Sequence, residues 1–346
     1  MADSKRFVPD ATDVDSFGSP VLISAIRASL ASAAPSVQCL AVALSGGADS
    51  AMLAVHAAKY ARSRQVELHF LHVHHGLQAG ADQWQAHVHD LAHRLNVPCH
   101  SLRVRVDQSG GDGMESAART ARYQALASLA APLGVTHILL AHHQDDQAET
   151  VLLRLLRGAG PEGLGAMAPM RVRDGLVYLR PWLEVARSEI LRLAGQFGEL
   201  TGWHPVCDPT NSDDRYTRAA VRERLAPVLD DRWPGWQANL VRHAGLSREM
   251  ALVLDEVASN DFKQLEPAAD AGSFSLRKWR ALPEHRQALL LRYWLALQGQ
   301  RMPTQARLQD LMRQLRHLHA MGHDRQMQVK HGDRYIRCIK GRIILD

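Results

Sequence analysis

An apolar run, Cys39-Leu40-Ala41-Val42-Ala43-Leu44, stops at Ser45-Gly46-Gly47-Ala48-Asp49-Ser50, and apolar residues then resume at helical spacing. A buried strand, a tight turn and a helix start in one line constrain the fold more than any other stretch of the chain. Gly46 and Gly47 permit positive φ and close backbone approach. Asp49 or Ser50 can cap the helix, whose first N–H groups have no partner of their own. Such a terminus attracts anions, phosphate above all. A plain strand-to-helix turn has the same composition, so the surroundings must decide between the two.

The same alternation continues downstream: "VELHFLHVHH" then a helix around 81–95, "CHSLRVRV" then a helix around 115–131, "THILLAH" then a helix around 145–157. A further helical pattern spans 21–33. Apolar runs buried on both faces and separated by amphipathic helices predict a parallel α/β sheet. On such sheets ligands bind beyond the carboxyl ends of the strands. Past residue 175 the alternation fades. From "WPGWQANL" onward the pattern is helical, and the last twenty residues read as a small β-meander around turns at "HGD" and "KGR". The expected organisation is a flexible N-terminus over 1–20, a catalytic domain over 21–230, and a helical domain with its meander over 231–346.

Two phosphate motifs are excluded. No G-x-x-x-x-G-K-[ST] occurs, and the Gly158, Gly160, Gly163 spacing follows a helix rather than a strand, so it reads as a helix C-terminal turn. A second polar constellation follows "THILLAH". His142, Asp145, Asp146 and Glu149 fall at i, i+3, i+4 and i+7, which predicts four polar groups on one helical face. Crowded carboxylates cost energy without a cation, and Mg²⁺ or an ammonium group would compensate them. H-E-x-x-H is missing and no thiol lies nearby, which argues against zinc. Of His69, His72, His74 and His75, which alternate as strand residues do, His74 or His75 is placed to reach the site.

Ser-Gly-Gly-x-Asp-Ser after a buried strand is similar to the pyrophosphatase loop of the N-type ATP pyrophosphatases. That resemblance implies adenylation by ATP and Mg²⁺, with pyrophosphate on Ser45, Gly46, Gly47 and Ser50, and Asp49 on the metal. Taken with "HVHHGLQ", "ESAARTARYQAL", "AHHQDDQAETVLLRLLRGAG", "RPWLEVARSEI" and "DPTNSDDRYTRAAVR", the chain resembles the tRNA(Ile)-lysidine synthetase family over residues 38–230, and more loosely through "EHRQALLLRYWLALQGQRMPTQARLQDLMRQL". It implies a parallel-sheet PP-loop domain followed by a smaller, mainly helical tRNA-binding domain. The implied reaction joins L-lysine to C2 of the wobble cytidine of a CAU-anticodon tRNA(Ile), through an adenylated cytidine, giving AMP and pyrophosphate.

By the same resemblance Asp146 and Glu149 hold the lysine, and His142 contacts the phosphates or the adenylated base. The general base stays open between a carboxylate and His142. Arg119 and Arg122, one turn apart, and Arg218 and Arg222 are candidates for RNA phosphate or the lysine carboxylate. Where the family reads R-N-x-I-R this chain has Arg218-Ala219-Ala220-Val221-Arg222, so only the arginines carry over.

Lys+Arg 41 against Asp+Glu 36, with a sequence pI near 9.2, suits a polyanionic partner. Arg325, Lys330, Arg334, Arg337, Lys340 and Arg342, with Tyr335 and Asp333 among them, give the meander the character of an RNA-contacting surface. Cys39, Cys99, Cys207 and Cys338 form no C-x-x-C pair. A polar start and no apolar run of about 18 residues predict a soluble cytoplasmic protein without a membrane anchor. Homodimerisation is left open. The rival readings are a PP-loop tRNA thiolase, which would need a cysteine near the site, and a non-catalytic nucleotide- or RNA-binding module.

Overall fold

The computed structural model describes residues 16–34, 36–74, 76, 80–105, 114–207, 214–215, 217–318 and 327–346, without the side chains of 114–116. His75, Arg325 and most of "DPTNSDDRY" lie outside the described residues. The chain divides into two compact units between Gly245 and Leu246, fifteen residues past the boundary expected near 230.

The first unit opens with helix α1 (Pro20–Ala33), followed by β1 (Cys39–Ala43), α2 (Ala48–Arg64), β2 (Glu67–His74), α3 (Ala81–Arg94), β3 (Cys99–Arg103), α4 (Met114–Ala130), β4 (His137–Leu139) and α5 (Gln144–Leu156). A one-turn α6 (Pro161–Leu164), the hairpin β5 (Met170–Arg173) and β6 (Leu176–Leu179), and α7 (Arg187–Thr201) come next. A last helical run comprises α8 (Thr217–Ala220), a π-helical turn over Val221–Leu225 and α9 (Ala226–Arg232). The six strands lie in the order β3-β2-β1-β4-β6-β5, parallel except for the edge strand β5.

The strand order places the site. From β1 the chain winds outward to β2 and β3, then returns to lay β4 against the other side of β1, with Leu40 opposite His137 and Val42 opposite Leu139. The carboxyl ends of β1 and β4 therefore flank the point where the winding reverses, where open α/β sheets bind ligands. The glycine turn follows β1, and the acidic segment follows β4.

One sheet face is covered by α1, α2, α3 and α7, whose Leu22, Ile26, Met52, Val88 and Phe197 share a core with Leu40 and Val42. Leu22, Ile26 and Leu30 recur every fourth residue, and this spacing gives α1 one apolar stripe to bury. Alanines at 51, 54, 57 and 58 let α2 lie close to the sheet. His56 is fully buried within it: Nδ1 meets the Met52 carbonyl at 2.7 Å, and Nε2 accepts the Ser19 N–H at 3.0 Å. Burial lowers its pKa, so the neutral ring anchors the start of α1. Tyr123, Leu126, Ile138 and Tyr178 form the core on the other face.

Helix α10 (Trp236–Gln264) carries the division at Gly245. In the second unit β7 (Ser273–Ser275), α11 (Leu276–Ala281), α12 (Glu284–Leu297) and α13 (Gln305–His317) precede β8 (Gln328–His331), β9 (Arg334–Ile339) and β10 (Arg342–Leu345). The meander expected at the C-terminus gains β7 as a fourth strand, in the antiparallel order β7-β10-β9-β8. Trp279, Trp294 and Phe274 centre its core. Two of its basic residues serve the fold: Arg337 pairs with Asp346 at 2.7 Å, and Arg342 donates to Ser273 and to the Glu266 carbonyl.

Candidate active site

The glycine turn closes on Ser50. Its Oγ accepts the N–H groups of Ser45 (3.1 Å) and Gly46 (3.3 Å), donates to the Gly47 carbonyl (3.1 Å), and lies 3.0 Å from Ser45 Oγ. The N-cap of α2 is Gly47, with no side-chain cap, so neither Asp49 nor Ser50 caps that helix as expected. The first N–H groups of α2 are left for an anion, as at any uncapped helix start. The Val206 N–H bonds the Gly46 carbonyl at 2.9 Å, which ties the backbone next to exposed Cys207 to the loop.

The two glycines differ in kind. Gly46 has φ +95°, and a Cβ there would meet Val88 Cγ2 at 3.1 Å, so the fold requires it. Gly47 has φ −72°, and its Cβ would meet only Ser45 Oγ, at 3.8 Å. Among the described residues no contact would exclude a side chain at 47, and room for close approach of a ligand suits a glycine there. Gly46→Ala is expected to cost about 1–3 kcal/mol of stability. Gly47→Ala should cost no more than about 1 kcal/mol, since alanine is the poorer helix N-cap, yet lower pyrophosphate release about 100-fold, in the range for loss of one preorganised contact. Thermal unfolding and a pyrophosphate assay on both variants separate the two effects.

The acidic segment departs from the expected stripe. Helix α5 begins at Gln144, so His142 precedes it and His143 is its N-cap. The His143 and Asp146 side chains bond each other's backbone N–H groups in a capping box, at 3.3 and 3.2 Å. Asp145 turns away to accept the N–H of Arg187, at the start of α7, at 3.2 Å. Of the four residues, Asp146 and Glu149 remain together on the helix.

His143, which the sequence reading passed over, joins the two halves of the site. Because Nδ1 accepts the Asp146 N–H, the neutral ring carries its proton on Nε2, which lies 3.3 Å from Asp146 Oδ2 and 3.7 Å from Asp49 Oδ2. Burial disfavours its charged form, but the neighbouring acids Asp49, Asp146 and Asp145 outweigh that and raise its pKa. Asp49 Oδ1 faces Arg187 Nε at 3.6 Å and is buried without a hydrogen-bond partner. Burial pushes the Asp49 carboxyl up, yet His143, Arg187 and Arg222 together hold it below its ordinary value.

Glu149 is 3% exposed. Its Oε1 accepts Arg222 Nε at 3.0 Å and Nη2 at 2.8 Å, while Oε2 is buried with no partner. Arg222 Nη2 also lies 3.9 Å from Asp146 Oδ1. Burial raises the Glu149 pKa, and Arg222 offsets only part of the rise. The cation beside the carboxylates in this structure is thus an arginine of the chain itself, brought by the π-turn that follows α8.

His142 sits in different company. Its pKa is driven well below the ordinary imidazole value by burial and then by Arg180, Arg119, Arg218 and Arg122, so it is neutral. This arginine group contains three of the four arginines singled out from the sequence, and Arg180, which was not. Arg180 is 3% exposed, donates to the Ala168 carbonyl at 2.8 Å and to the Tyr123 hydroxyl at 3.3 Å, and has a buried Nε without a partner. Arg119 also reaches the Tyr123 hydroxyl, at 3.4 Å, and Arg218 reaches Thr150 Oγ1 at 3.4 Å. Cations gathered around a neutral imidazole suit an anion.

The strand histidines lie apart from this group. His72 supports the root of the loop by bonding the Leu44 carbonyl at 2.8 Å, and His74 bonds Asp82 at 3.0 Å. Cys39, Glu67 and His69 lie close enough to hold a metal ion, but near the amino ends of β1 and β2, away from the loop. Burial and the Glu67 charge raise the Cys39 pKa, and its thiol contacts the Leu133 carbonyl at 3.8 Å; His69 contacts Glu67 and His100. The group is a hydrogen-bonded cluster at the amino ends of two inner strands. Among the described residues no helix is long and apolar enough to cross a membrane.

Comparison with known proteins bears on this arrangement. The PP-loop domain family matches residues 22–229, and the TilS substrate binding domain matches residues 274–344. The tRNA(Ile)-lysidine synthase of Bordetella bronchiseptica is 58% identical over 321 residues, 93% of each chain. That of Polaromonas naphthalenivorans is 39% identical over 88% of this chain and 89% of its own. Among solved structures, the U34-tRNA thiolase NcsA from Methanococcus maripaludis superposes with a TM-score of 0.53 at 16% identity, over 66% of this chain and 78% of its own, which is a likeness of fold alone.

Proposed function

The chain belongs to the tRNA(Ile)-lysidine synthase family of PP-loop enzymes, and from that premise we propose that it ligates L-lysine to C2 of the wobble cytidine of a CAU-anticodon tRNA(Ile) at the expense of ATP. The observation that carries the reading is the pairing of loop and acidic helix through His143: Asp49 on one side and Asp146 on the other, 3.7 and 3.3 Å from a single ring nitrogen. A phosphate leaving group and an amine nucleophile need such neighbours.

Two displacements make up the reaction. Cytosine O2 attacks the α-phosphorus of ATP, the bond to the bridging oxygen breaks, and pyrophosphate leaves onto the turn formed by Ser45, Gly46, Gly47 and Ser50. The helix-start N–H groups then stabilise its charge without reorganising. Asp49 would hold Mg²⁺, for its buried Oδ1, which accepts no hydrogen bond, suits a cation that seeks oxygen ligands. Bound there, the ion would offset charge on the departing pyrophosphate. The lysine Nζ, freed of one proton, next attacks C2, and AMP departs with O2.

Lysine needs help at this step, since its reference pKa of about 10.4 leaves it protonated at neutral pH. Glu149 and Asp146 supply the acceptors, and the unpartnered Oε2 of Glu149 suits an ammonium donor. The raised pKa of Glu149 supports a proton-accepting role for it, and the depressed pKa of His142 supports a place beside phosphate. Glu149 is the better proton acceptor, while neutral His142 and its arginines suit phosphate. Arg119, Arg122, Arg180 and Arg218 are proposed to bind the nucleotide or tRNA phosphates.

The thiolase alternative would need a reactive cysteine. Among the described residues only Cys207 adjoins the loop, through Val206, and no second thiol joins it. The decisive experiment incubates unmodified tRNA(Ile) with the protein, ATP, Mg²⁺ and isotopically labelled lysine, followed by mass spectrometry of the nucleosides. Labelled lysidine is expected, and pyrophosphate release should require the tRNA. Sulfur incorporation, or pyrophosphate released equally fast without RNA, would refute the assignment.

A further inference from the structure

Arg222 rests on Oε1 of the same carboxylate whose Oε2 the reaction assigns to the substrate's cation. Its Nε and Nη2 both rest on Glu149 Oε1, at 3.0 and 2.8 Å, and its Nη2 lies 3.9 Å from Asp146. An ammonium arriving between these carboxylates would meet a second positive charge a few ångströms away. We propose that Arg222 is an internal placeholder for the lysine ammonium, which keeps the amine site closed until a phosphate anion of the bound nucleotide or tRNA draws its guanidinium off Glu149.

Three features make the exchange physically reasonable. Glu149 is almost wholly buried, so a partner cation is needed at all times, and Arg222 supplies one while lysine is absent. The Arg222 side chain is 26% exposed, so an anion can reach it from outside. Its guanidinium fits phosphate with two parallel donors, better than its present hold on a single carboxylate oxygen. Arg222 also sits in a π-helical turn, a backbone insertion of the kind found where helices adjust at functional sites. The consequence is an order of events: activation first, amine second. Arg222 is a positioning residue here, since it acts through Glu149.

The proposal rests on Asp146 and Glu149 forming the lysine site, and its test is built to fail separately from that reading. Binding of radiolabelled lysine to the full-length protein is measured by equilibrium dialysis, alone and with unmodified tRNA(Ile) plus an ATP analogue that cannot be cleaved between the α- and β-phosphates. If the open state is about 1% populated in the free enzyme, adding both ligands should tighten lysine binding about 100-fold. In Arg222→Met the free protein should bind lysine within a few-fold of the liganded protein, and Arg222→Lys should fall between.

Equal lysine affinity of the wild type with and without nucleotide and tRNA would overturn the placeholder, whatever the variants do. So would an Arg222→Met protein that keeps the full nucleotide dependence, or one that binds no lysine in any state, since Arg222 would then be a direct ligand. Lysidine formation by the wild type, followed in parallel, tests the underlying function: its presence with a failed gate leaves the ligase reading intact.

Discussion

Asp49→Ala should abolish tRNA-dependent pyrophosphate release, lowering it by about 1000-fold or more, because it removes a carboxylate that stands between the phosphate turn and the acidic helix. Asp49 Oδ1 has no hydrogen bond to lose, while Oδ2 lies 3.7 Å from His143 Nε2. Its effect on stability is correspondingly small, about 1 kcal/mol, or a shift of about 2–4 °C in the unfolding midpoint of a unit this size. The lowered Asp49 pKa sets the sign of the pH dependence. The contribution is fully present above the unfolded value of about 3.9 and disappears as pH falls through the folded one. Pyrophosphate release and thermal unfolding measured side by side check the claim. A variant that unfolds at room temperature, or one that keeps a tenth of the activity, would contradict it.

Glu149→Gln should split the two chemical steps. The amide keeps the shape of the side chain but loses the charge that faces Arg222 and the proposed ammonium. Adenylation is therefore expected within about tenfold of wild type, while lysine addition falls about 1000-fold, since the charge and proton-accepting oxygen of Glu149 are lost and Asp146 alone remains. Adenylated tRNA should accumulate when lysine is supplied. In the wild type, lysine addition should decline as pH falls through the raised pKa of Glu149, because the protonated carboxyl neither attracts the ammonium nor takes its proton. Loss of adenylation in Glu149→Gln would shift the residue from the amine to the metal.

Much of the first unit was legible because its signals are local. Each apolar run from Cys39 to Leu139 became a strand within a few residues of the expected bounds, and each following segment became its helix. The β5–β6 hairpin was not recognised where the alternation fades. β5 is largely exposed and only four residues long, so it lacks the buried pattern of its neighbours. A signal was nevertheless there: Asp174-Gly175, with φ values of 51° and 77°, is the two-residue turn that joins "MRVR" to "LVYL". The acidic stripe failed for a different reason. "HHQDDQ" offers several N-caps, and a helix that starts after His143 rather than before His142 turns one side chain out of the row and Asp145 toward α7.

What the sequence determined by itself was chemical inventory and local shape: a glycine turn after a buried strand, carboxylates at the head of a helix, arginines in pairs. Backbone conformation and hydrophobic periodicity depend on near neighbours, so these could be read along the chain. Only the tertiary structure decided which of those groups meet. It laid β4 beside β1, put His143 between Asp49 and Asp146, and set Arg222 against Glu149 across 73 residues. Long-range charge pairing follows from strand order and burial, which no spacing in the sequence encodes. For the same reason the cation that the acidic helix required appeared as an arginine of the chain.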